Sequence, residues 1–159
     1  MKKLLDKVVG TFSVVLLAAM VVMALWQVFT RFILNSPSTF TEEFLRFSLI
    51  WLTMVGGAYV LGQKKHLAIV FFARKLPQKS QLAVTLLVEA FVILFAVVIM
   101  ILGGMTAFQN AMGQVSPSLR MPMEYLYLSL PVGGVMFLLY SLLDIAKVFS
   151  DRKRAVEHK

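Results

Sequence analysis

The sequence predicts an all-α membrane protein of four transmembrane helices, and three observations carry that expectation. Of 159 residues, 59% are hydrophobic and only 15% are charged. The mean hydropathy is +0.81, above the range of soluble domains. The apolar residues fall into four long runs without barrel-type alternation, so helices must satisfy the backbone inside a bilayer. One membrane domain over residues 1–159 accommodates all of them.

The first run extends from Val8 to Phe29 and is closed by Arg31. At about 22 residues it can cross a hydrocarbon core of about 30 Å, which places helix 1 at about 8–30. Lys2, Lys3 and Lys7 precede it like the basic region of a signal peptide, but the run is too long and no small-residue cleavage site ends it. After the polar break Asn35-Ser36-Pro37-Ser38-Thr39, the segment Thr39-Phe40-Thr41-Glu42 reads as a capping box opening helix 2, at about 40–63. Glu42 and Glu43 sit in its first turn, where the helix dipole favours negative charge.

Lys64, Lys65 and His66 follow, and then an apolar stretch, Leu67 to Leu76, too short to span. It predicts a short amphipathic helix at about 66–76 lying on the membrane surface. Lys64, Lys65, His66, Arg74, Lys75 and Lys79 would anchor it, the cations each gaining about 1 kcal/mol from anionic headgroups. Helix 3 is expected at about 82–108, before Gln109, Asn110 and Gln114 mark the exit from hydrocarbon. Ser116-Pro117-Ser118 forms the turn. Pro122 suits the first turn of helix 4, at about 123–149, and Tyr125 and Tyr127 suit the aromatic belt. The polar tail, 150–159, is expected to be mobile.

Charge sets the orientation. Of the 16 Lys and Arg residues, all but Arg31, Arg46 and Arg120 fall on one side of an even number of crossings. That bias puts both termini and the surface segment in the cytoplasm, N-in and C-in. The net charge of +8 therefore reflects topology rather than nucleic-acid binding.

With no cysteine, disulfides, thiolate metal sites and thiol chemistry are excluded, and the two histidines, His66 and His158, lack the spacing for haem or metal. Nothing nominates a nucleophile, a phosphate loop or a base, so the chain is expected to be no enzyme and to hold no cofactor or metal. Glu89 and Asp144 lie near the cytoplasmic ends of helices 3 and 4 and read as interfacial or paired structural groups, away from the mid-depth where ion-coupling carboxylates sit.

The densest polar group lies on the outer side. Arg31, Glu42, Glu43 and Arg46 are brought together by the short connection between helices 1 and 2, with Glu42 and Arg46 one turn apart and Arg31 able to close on either carboxylate. An ion-pair clamp on the helix 1–2 hairpin, fixing a surface offered to a partner, is preferred over substrate binding. Glycine pairs at Gly56-Gly57, Gly103-Gly104 and Gly133-Gly134 permit close helix approach within the chain or against another protein.

The arrangement resembles the small membrane subunit, the DctQ-like component, of tripartite ATP-independent periplasmic (TRAP) transporters. The likeness rests on Arg31-Phe32 closing helix 1, Phe40-Thr41-Glu42-Glu43-Phe44-Leu45-Arg46 opening helix 2, and Trp51 with Gly56-Gly57 within it. Lys65-His66-Leu67 after it, and Pro122 through Pro131-Val132-Gly133 leading into helix 4, complete the pattern. The chain departs from it at Phe40, where Trp is common, and at Phe71, where Asp is usual. The resemblance implies a non-catalytic scaffold in the bacterial inner membrane, partnered by a large multi-helix, elevator-type subunit and a periplasmic binding protein, for sodium-driven uptake of an organic acid such as a C4-dicarboxylate or sialic acid. Arg31, Glu42, Glu43, Arg46 and Trp51 are expected to serve a partner interface or a structural clamp. The competing expectation is an autonomous exporter or channel, homo-oligomeric through its glycine-rich faces.

Overall fold

The computed structural model describes residues 2–36, 38–63 and 78–157, and its described residues form helices with no strand beyond one isolated bridge. The first span is α1, Lys2–Phe32. It starts well before the apolar run because its first turns carry Lys2 and Asp6, both of which find partners across the fold. It ends where Asn35 takes a left-handed φ of 50°, a conformation Asn tolerates, and the Ser36 amide turns back to the Thr30 carbonyl at 3.1 Å.

The second span is α2, Thr39–Gln63. Its cap lies one residue earlier than the sequence suggests: the Ser38 hydroxyl accepts the Thr41 amide at 3.4 Å, while the Thr41 hydroxyl donates to the Ser38 carbonyl at 2.8 Å. Glu42 is thereby released from a capping-box role and pairs forward with Arg46.

The third span is continuous but not uniform. Helix α3, Gln78–Phe95, passes into a π-helical segment, Ala96–Gly103, and returns to α-helix as α4, Gly104–Ala111. Nothing in the hydropathy anticipates that widening, because a π segment arises from backbone register and not from apolar periodicity. Ala96, Met100 and Gly104 form its buried face.

A structured loop replaces the simple turn expected at Ser116-Pro117-Ser118. Val115 bridges Pro122 in antiparallel fashion, with the Ser116 amide on the Met121 carbonyl and the Met123 amide on the Gln114 carbonyl, both at 2.9 Å. Gly113, at φ 80°, supplies the left-handed residue that leads the chain out of α4. Pro122 thus belongs to the bridge and precedes the helix. The short helix α5, Glu124–Tyr127, then leads into α6, Ser129–Glu157. This last helix continues through 150–157, a stretch rich in the strong helix formers Arg, Lys, Ala and Glu, where the sequence was expected to leave the helix near Phe149.

Among the described residues, four segments are long and apolar enough to cross a membrane: Lys2–Phe32, Thr39–Gln63, Ala83–Ala111 and Glu124–Val148. They pack in the order α1, α2, α6, third span, so the second and fourth spans meet although the third lies between them in sequence. In the fourth span 39% of the apolar window is buried against 6% in the first, which makes α6 the centre of packing and α1 its flank. The apolar sides of α1 and the third span remain exposed, as lipid-facing helices should.

Glycines set the spacing. A Cβ at Gly134 would meet Ile101 at 2.8 Å and the Ala96 carbonyl at 3.1 Å, and one at Gly104 would meet Leu130 at 2.8 Å, so α6 and the third span touch nearly backbone to backbone. Gly133 sits equally close to Met54 of α2, and a Cβ at Gly62 would run into the Tyr140 ring. Gly103 instead has only the Val98 carbonyl nearby, at 3.7 Å, and Gly56 and Gly57 likewise have ordinary contact distances. The surface helix expected at 66–76, with Lys64, Lys65, His66, Arg74 and Lys75, lies outside the described residues; Lys79 falls in the first turn of α3.

Candidate functional site

The polar chemistry of the described residues gathers at the two ends of the helix row. At the end formed by the α1–α2 connection and the 112–123 loop, Glu43 is the organising group. Its carboxylate accepts the Leu119 amide at 2.8 Å, the Ser118 amide at 3.1 Å and the Ser116 hydroxyl at 2.7 Å. Three donors on one carboxylate resemble the backbone concavities that hold free anions, here filled by a side chain from another helix. Trp51, two turns further along α2, donates its indole N–H to the Tyr125 carbonyl at 3.2 Å. Together they attach α2 to both sides of the loop.

The clamp anticipated from sequence is therefore distributed differently. Glu42 and Arg46 pair at 3.2 Å within one helix, with both side chains more than half exposed, so the pair contributes at most a few tenths of a kcal/mol. Arg31 lies 6.0 Å from the Phe32 ring, and no ion pair joins it to Glu42 or Glu43 among the described residues. What the sequence reading missed is the loop itself: spacing along α2 identifies one-turn partners such as Arg46, but it carries no signal for a turn 73 to 76 residues away.

At the opposite end, α1 is tied across the row. Lys2 donates to the Asp144 carboxylate at 2.9 Å and to the Gly62 carbonyl at 2.7 Å, joining α1, α6 and the end of α2 in one contact. Tyr140 donates to Asp6 at 2.9 Å while its ring packs on Gly62, which has no side chain to obstruct it. Further in, the Ser141 hydroxyl donates to the buried Glu89 carboxylate, linking α6 to α3. Asp144 and Glu89 are thus paired groups near one membrane boundary, whereas Lys2, Asp6 and Tyr140 carried no spacing signal in the sequence.

Chemically, the contacts at both ends join helices to one another or to the loop. No Asp, Glu, Lys, Arg or His lies between Lys7 and Arg31 in α1, between Arg46 and Gln63 in α2, between Glu89 and Ala111 in the third span, or between Glu124 and Asp144 in the fourth. The bilayer centre is apolar, and the charges frame it.

Comparison with known proteins supplies the identity that such a framework alone does not. The model of the family described as tripartite ATP-independent periplasmic transporters, DctQ component, matches residues 5–151. The chain is 33% identical over 153 residues to the sialic acid TRAP transporter small permease protein SiaQ of Vibrio cholerae, covering 96% of this chain and 86% of that one. It is also 24% identical to each of two Haemophilus influenzae chains provisionally named TRAP transporter small permease proteins, over 83% of this chain and 81% of the first, and over 94% and 92% for the second. A four-span membrane chain whose charges are confined to its ends, and whose likeness to these proteins runs through all four spans, belongs to the DctQ family, the small membrane component of TRAP transporters.

Proposed function

We propose that this subunit is the non-catalytic scaffold of a sodium-driven TRAP transporter that takes up an organic acid, with both termini on the cytoplasmic side of a bacterial inner membrane. Its partner is the large elevator-type subunit, which holds substrate and ions, and a soluble periplasmic binding protein delivers the solute. The observation that carries this reading is the position of charge: paired groups at both ends and none between them through the depth of all four spans. A solute pathway needs coordinating groups at mid-depth, and a scaffold does not.

The row-like packing supports the same reading, since helices arranged side by side offer a wide apolar flank against which a larger membrane subunit can rest. The loop held by Glu43 gives the outer surface a fixed shape suited to meeting the binding protein. Sialic acid is the favoured substrate within the organic acids because the Vibrio cholerae relative carries that name.

Reconstitution tests the proposal. Proteoliposomes containing both membrane subunits, supplied with the binding protein and a sodium gradient, should accumulate sialic acid, and omission of this chain should abolish uptake. Uptake or conductance by this chain alone would instead establish it as an autonomous exporter or channel, and full uptake in its absence would remove the scaffold role.

A further inference from the structure

Between α1, α2 and the 112–123 loop lies an open-sided groove of about 270 Å³ with a nearly wholly apolar lining. Phe12 and Leu16 of α1 form one wall, and Phe44 and Trp51 of α2 form its floor. Those two α2 residues are separated by about 10 Å along the helix axis. Phe12 lies beyond them, near the level at which Gly10 meets Tyr59. The groove therefore runs lengthwise from the loop toward the middle of the bilayer, as a lipid chain does.

Its size decides what can occupy it. An apolar cavity of about 150 Å³ accepts benzene, so this groove accommodates a longer aliphatic chain, whereas a helix about 10 Å across cannot enter it. Its mouth has charge as well. Leu119 and Met121 both line the groove, and Arg120 between them is exposed, so the backbone that carries this cation runs along the rim.

We propose that this groove is a binding site for one acyl chain of a glycerophospholipid, whose phosphate meets Arg120. The loop then has a second role besides its own rigidity: Glu43, by fixing Ser118 and Leu119, holds the mouth open at a set width. The inference does not depend on the transporter reading, since it rests on the groove and its cation alone.

The test uses the full chain in detergent with added palmitoyl-oleoyl phosphatidylglycerol, followed by native mass spectrometry. One retained phospholipid per chain is expected, with Leu16→Trp, which fills the groove, lowering occupancy at least tenfold, and Leu102→Trp, equal bulk on an exposed face, leaving it unchanged. Arg120→Gln should weaken retention several-fold. A phosphatidylglycerol carrying a diazirine near mid-chain should label the Phe12–Leu16 and Phe44–Trp51 stretches preferentially in the unmodified chain. Equal labelling of the exposed faces around Val21 and Leu102, or retention of a second copy of the chain with no lipid, would overturn the proposal.

Discussion

The Glu43 carboxylate accepts the amide of Leu119 at 2.8 Å across 76 residues of sequence, and through that contact the second membrane helix sets the shape of the loop between the third and fourth. The same carboxylate takes up Ser116 and Ser118, so the loop's inward-facing donors are satisfied by one side chain.

Replacing Glu43 with Gln should leave insertion and helix packing intact but loosen this loop, because a neutral amide holds two backbone N–H groups less firmly than a carboxylate. Hydrogen exchange at the Ser118 and Leu119 amides should accelerate roughly tenfold or more while the amides of α6 stay protected. Unchanged exchange at both positions would remove Glu43 from its role as the loop's anchor.

Gly62→Ala should destabilise the chain by about 1–3 kcal/mol, because its new methyl group meets the Tyr140 ring in a site with no spare volume. Gly103→Ala, with only the Val98 carbonyl nearby at 3.7 Å, should be neutral or stabilising by up to about 1 kcal/mol through helix propensity. Thermal unfolding of the two variants in the same detergent compares them directly, and equal midpoints would contradict the packing.

Breaking the tie between Lys2 and Asp144 should matter more than breaking the exposed Glu42–Arg46 pair. Both tie residues retain 18% side-chain exposure, so Asp144→Asn is expected to cost roughly 1–2 kcal/mol, below the 3–5 kcal/mol typical of a fully buried pair. Arg46→Ala should change stability by no more than about 0.5 kcal/mol. A charge swap, Lys2→Asp with Asp144→Lys, should recover part of the loss, and full additivity of the two single effects would argue against direct coupling.

The absence of cysteine makes the topology easy to probe. A thiol introduced at Gln114→Cys should react with an impermeant maleimide added outside intact cells, and one at Lys3→Cys only after the membrane is permeabilised. The reverse pattern would invert the orientation inferred from the charge distribution.

Four spans and a charge-free centre were legible in the amino-acid order, because hydrophobic length and the exclusion of unpaired charge from hydrocarbon act on each segment alone. Pairing within a single helix was legible too: Glu42 and Arg46 are one turn apart, and that distance is fixed by helix geometry. The partner of Glu43, the tie from Lys2 to Asp144, the choice of Gly104 over Gly103 as the contact glycine and the π segment at Ala96–Gly103 were decided only when the helices came together. Each depends on which faces meet in the order α1, α2, α6, third span. In lipid every helix has apolar faces to spare, so hydropathy marks what enters the membrane, while close contact and hydrogen-bond geometry select which surfaces touch.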